Sequence, residues 1–104
     1  MEKLCIYNGQ DIYTEILGYT RIQNCVFFLH KVKDKNKVFY RYSEKWTGLA
    51  VGTGETGTDA TTKKEALKKL RKIVKNAGIE NIYILRNNWL KELKKPFDYE
   101  FIFD

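Results

Sequence analysis

The chain has little of what most small enzymes are built from. In 104 residues there is one histidine, one serine, one proline and two cysteines. Ser-His-acid hydrolysis needs a nucleophile, a base and an orienting group in one place. A lone Ser43 and a lone His30 argue against it. A zinc site draws on about four Cys or His ligands, or three plus water. Cys5, Cys25 and His30 are the whole inventory, and no Cys-x-x-Cys is present. No apolar run reaches the length of a membrane span, and the first residues, Met-Glu-Lys-Leu-Cys-Ile-Tyr, lack a signal-peptide core. These features point to a reducing cytoplasm, free thiols and no membrane partner. No cofactor or metal is expected. Glu55 and Asp59 with Glu15 or Glu44 have no recognised ligand spacing.

What is present is charge and aromatic surface. Charged residues make up 31% and hydrophobic residues 43%, the balance of a folded chain, and the length suits one domain over 1–104. The formal charge is +6. The segment 62–77 holds Lys63, Lys64, Lys68, Lys69, Arg71, Lys72 and Lys75 against Glu65 alone. That segment carries the whole excess, because the other twelve cations and twelve carboxylates cancel. The distribution reads as a neutral domain bearing one basic helix.

Periodicity sets the expected fold. Leu4–Tyr7 stops at Asn8-Gly9, a strong two-residue hairpin signal, with a partner strand from near Ile12 through Leu17, a stretch that also suits a helical turn. Cys25–Val32 is apolar on both faces and reads as a central strand. Asp34–Lys37 is a polar turn, and Val38–Tyr42 returns from it. Trp46–Val51 and Ile82–Leu85 read as further strands, Asn88–Leu93 as a short helix, and Phe97–Phe103 as a last strand with one aromatic face. Ala66, Leu67, Leu70, Ile73, Val74 and Ala77 form one apolar helical stripe. Thr61 or Thr62 can cap it, Glu65 stands in capping-box spacing to Thr62, and Gly78 can stop it. The expected class is α+β: an antiparallel sheet of about five or six strands with one main amphipathic helix, 62–77, packed across it.

Three features could carry function. Lys64, Lys68, Arg71, Lys72 and Lys75 fall within an arc of about 100° away from the apolar stripe. They form a strip suited to phosphate or to an acidic protein surface; the plainer reading is a solvated lysine face. Gly52-Thr-Gly54-Glu-Thr-Gly57 matches G-x-G-x-x-G after an expected strand. Thr58–Thr61 intervene before the helix, whereas a dinucleotide fingerprint starts its helix inside the motif. The loop, with Gly54 and Glu55 at its centre, reads better as a recognition loop or a simple connection. Tyr40, Tyr42 and Trp46 interleave with Arg41 and Lys45, a pattern that can stack bases or anchor an interface.

The run Gly57-Thr-Asp-Ala-Thr-Thr-Lys-Lys-Glu-Ala66 resembles the last segment of double-stranded-RNA-binding domains. Thr62, Lys63, Lys64 and Ala66 fall on that family's Ser-Lys-Lys-x-Ala-Lys helix start, whose lysines grip phosphates. Leu67 stands where its third lysine belongs, and no N-terminal helix is evident. Thr-x-x-Glu-Ala-Leu is also similar to a segment of small antitoxin domains, without their appended DNA-binding module. The Lys, Asn, Ile, Tyr and Phe usage fits an AT-rich bacterial genome or its phages, and small, single-domain, non-enzymatic, sheet-plus-helix proteins without family motifs are similar to phage and mobile-element accessory proteins, anti-CRISPR inhibitors among them. That likeness implies a non-enzymatic protein that occludes a host partner handling nucleic acid, meeting an acidic surface or a nucleoprotein complex. The alternatives are direct DNA or RNA binding through the basic helix, and nucleotide binding through the Gly52–Gly57 loop.

Overall fold

The computed structural model describes residues 2–7, 10–23, 25–45, 47–51 and 57–92. Five strands precede two helices. Strands β1 (Glu2–Tyr7) and β2 (Gln10–Glu15) form an antiparallel hairpin with Tyr7 opposite Gln10. The expected pairing is therefore present, although β2 begins two residues earlier than Ile12 and ends before Ile16. Asn8 and Gly9 themselves lie outside the described residues. Strands β3 (Gly18–Ile22), β4 (Cys25–Asp34) and β5 (Lys37–Glu44) make a second, three-stranded antiparallel sheet with β4 in the middle.

The central position of β4 follows from its sequence. Every residue from Cys25 to His30 is buried, so both faces of the strand are covered at its start. From Lys31 the burial ends: Lys31 and Lys33 are exposed and Val32 is half-buried. The β4–β5 turn places Lys35 and Asn36 at φ 47° and 69°. Positive φ at both central positions matches a tight turn whose twist suits the flanking strands.

Helix α1 (Lys63–Ala77) lies on one face of this sheet. Its Ala66, Leu70 and Val74 pack with Cys25, Phe27 and Leu29 of β4, Tyr42 of β5 and Ala60. Thr62, one of the two expected caps, accepts a hydrogen bond from the Glu65 N–H at 3.2 Å. Gly78 at φ 85° ends the helix, and its N–H donates to the Val74 carbonyl at 2.9 Å.

The expected single sheet of five or six strands is corrected to a three-stranded sheet and a separate two-stranded hairpin among the described residues. Two expected strands are not strands. Ile82–Leu85 lies inside a second helix, α2 (Ile79–Glu92), which also absorbs most of the short helix expected at 88–93. A four-residue apolar run fits either geometry. Here Ile79 and Ile82, three apart, pack against the core of α1 and the sheet, and the Asn81 side chain donates to the Ala77 carbonyl at 2.6 Å. Residues 47–51 turn back along β5 and meet it at one bridge, Ser43 to Ala50. Gly48 at φ 71° and the Glu44 carboxylate, which accepts from the Thr47 N–H at 2.8 Å, hold this loop. The expected strand at 97–103 lies outside the described residues. Among the described residues no helix is long and apolar enough to cross a membrane.

Leu70 is fully buried at the centre of the helix–sheet contact. Leu70→Ala should cost about 2–5 kcal/mol. Urea denaturation of the variant against the parent protein checks this.

Candidate binding surface

The basic strip depends on how α1 is held. Four residues before the helix, 57–60, run along β5. Thr58 is buried, and its hydroxyl accepts from the Tyr42 N–H at 2.9 Å. Tyr40 and Ala60 exchange two backbone hydrogen bonds, at 2.7 and 3.0 Å. Arg41 grips Asp59 through two contacts of 2.6 and 2.7 Å, a fork-on-carboxylate pair. Lys69 then reaches back from α1 and donates to the Asp59 carbonyl at 2.7 Å. This strap fixes both the start and the rotation of the helix.

With that rotation set, Lys64, Lys68, Arg71, Lys72 and Lys75 are all exposed. Among the described residues none of the five is in an ion pair. Alongside Lys68 and Lys72 runs a groove of about 450 Å³, also lined by Gly57, Glu65, Lys69 and Asn76. The five expected cations thus share one surface, with a concave margin that contains one carboxylate.

The other expected residues do not join it. In β5, alternation puts Tyr40, Tyr42 and Glu44 toward α1, and Arg41 and Ser43 on the opposite face of the sheet. Lys45 follows on that opposite side, with its ammonium 5.5 Å from the Tyr19 ring centroid. The Arg41 guanidinium is used by Asp59 inside the fold. Tyr42 is buried, and its hydroxyl accepts from Thr20 at 3.3 Å, so its ring offers no stacking platform. Trp46, Gly54 and Glu55 lie outside the described residues.

The structure also joins two residues that the residue counts set aside. His30 Nε2 and Ser43 Oγ share a buried hydrogen bond of 2.8 Å, with the Phe28 ring 5.1 Å from the imidazole. Burial, and then the positive charge of Arg41, lower the His30 pKa from 6.5 to about 4. A base that weak, beside a serine that is 1% exposed, has neither the proton affinity nor the access for nucleophilic catalysis. The pair is part of the fold. Among the described residues no group of three or more His, Cys, Asp and Glu is arranged to hold a metal ion. Cys25 is buried.

In comparisons with known proteins, no family model, curated protein or solved structure matches the chain. The likeness to double-stranded-RNA-binding domains stays confined to the strap and the start of α1. Ahead of them stand five strands, with no helix before the sheet among the described residues.

Two predictions follow from this geometry. Asp59→Asn leaves a half-buried Arg41 without its counter-charge and should cost about 1–3 kcal/mol, measured by urea denaturation. For His30, the unfolded chain takes up a proton as pH falls through 6.5, whereas the folded chain does so only near 4. Between those values the unfolded state binds more protons, so stability falls as pH drops. The expected loss is about 3 kcal/mol across that window. His30→Gln should remove this part of the slope when denaturation is compared at neutral and mildly acidic pH.

Proposed function

We propose that this chain is a non-enzymatic binding protein that acts by occupying a partner which handles nucleic acid, as anti-CRISPR and other anti-defence inhibitors do. The observation that carries the reading is the exposed face of α1, where Lys64, Lys68, Arg71, Lys72 and Lys75 stand without carboxylate partners among the described residues. Like charges at i, i+4 spacing destabilise a helix by a few tenths of a kcal/mol per pair. Lys64, Lys68 and Lys72 keep that spacing nonetheless. An anionic surface brought against the strip relieves the repulsion. The buried, weakly basic His30 supports a binding role over a catalytic one. An origin in a phage or mobile element rests on analogy with small, single-domain accessory proteins alone.

The test is retention of a nuclease or nucleoprotein complex from host lysate, followed by assay of that nuclease with the purified protein. The parent protein should retain the complex and inhibit it. The triple variant K68E/R71E/K75E should lose at least tenfold in affinity while melting within a few degrees of the parent. Retention and inhibition unchanged by the triple reversal would show that α1 is not the contact surface. Association with bare DNA or RNA and with no protein would favour direct nucleic-acid binding.

A further inference from the structure

The cationic surface does not stop at the helix. Lys31 and Lys33 continue the i, i+2 series of the buried Phe27 and Leu29, which puts them on the α1 side of the sheet. Both are exposed. They stand on the part of the β4–β5 hairpin that extends past the start of the helix, because Tyr40, opposite Lys31, is the residue bridged to Ala60 just before α1. The Tyr40 ring is the joint. Lys31 from β4 and Lys63 from the first turn of α1 each place an ammonium 5.9 Å from its centroid. The two charges are therefore at most about 12 Å apart, about one and a half Debye lengths at physiological salt. Among the described residues neither is in an ion pair. Asp59, in the adjoining strap, is already held by Arg41.

We infer that Lys31, Lys33 and Lys63 extend the α1 strip into one two-level surface, and that its ligand is the phosphate backbone of a nucleic-acid duplex. The upper level runs about 16 Å along α1 from Lys64 to Lys75. The lower level is the hairpin ledge, about 7 Å from Lys31 to Lys33. They are offset by roughly the width of a helix, about 10 Å. A duplex presents two phosphate rows flanking a major groove about 12 Å wide, which is the scale of the offset. The surface has seven lysines and one arginine. Ammonium groups act as point charges, which suits phosphate oxygens met from several directions.

This inference rests on the reading of α1 as the contact surface, and the test separates the two. Binding of a labelled DNA duplex is followed by fluorescence anisotropy from low to moderate salt, with polyglutamate as a second probe. The variants are K31E/K33E, its neutral counterpart K31Q/K33Q, and K68E/R71E/K75E, each checked by thermal melting. The parent protein should bind the duplex, with log K falling against log salt at about 0.9 per phosphate neutralised. K31Q/K33Q should reduce that slope by about 2, and K31E/K33E should weaken binding further. Duplex binding lost in the α1 triple variant but unchanged in both hairpin variants overturns the ledge and leaves the α1 surface standing. Binding to polyglutamate with none to duplex overturns phosphate as the ligand, and also leaves α1 standing. Duplex binding unaffected by every variant overturns both readings.

Discussion

The strap that joins β5 to α1 is the constraint on which the rest of this structure depends. It is short, and nearly every polar group in it that reaches the sheet is used. Thr58 bonds the backbone of Tyr42, Ala60 pairs with Tyr40, and Asp59 is clamped by Arg41 and capped from above by Lys69. An amphipathic helix on a sheet has one apolar stripe to bury, but that stripe alone tolerates sliding and some rotation. The strap removes both freedoms. It sets Thr62 as the cap, brings Ala66, Leu70 and Val74 over Phe27, Leu29 and Tyr42, and so sends the five cations outward.

The same strap brings two distant stretches of chain together. Tyr40 is opposite Lys31 across the hairpin and bridged to Ala60 below the helix. One ring therefore receives a cation from β4 and another from α1. The far face of the sheet is a different environment. His30, Ser43 and Phe28 make a buried, uncharged cluster there, and Arg41 is turned toward Asp59. The fold thus separates a face that mixes core and cations from one in which polar groups are satisfied internally.

Much of the local structure was legible in the residues. The β1–β2 hairpin, the central role of β4, the turn at Lys35–Asn36, the amphipathic helix and its Thr62 and Gly78 boundaries each rest on a local rule. The errors came where local rules are degenerate. Ile82-Tyr-Ile-Leu85 suits a strand or a helix, and the choice fell to the packing of Ile79 and Ile82 after the turn at Gly78. Residues 47–51 have strand-like composition, yet Gly48 and the Glu44 carboxylate close them into a loop. Arg41 and Lys45 look like partners of the basic helix in one dimension. Strand alternation puts them on the other side of the sheet.

The charge distribution shows the division most clearly. Sequence by itself determined that the excess charge lies in one amphipathic helix and that five of its cations point away from the core, because helical spacing dictates both. It also suggested that the remaining charges cancel, which is true only as a sum. Only the tertiary structure decided that Lys31 and Lys33 adjoin that helix while Arg41 is consumed by Asp59. Those outcomes depend on strand register and on which face of the sheet the helix covers. Both are set by contacts between residues far apart in the chain, where no local periodicity reaches.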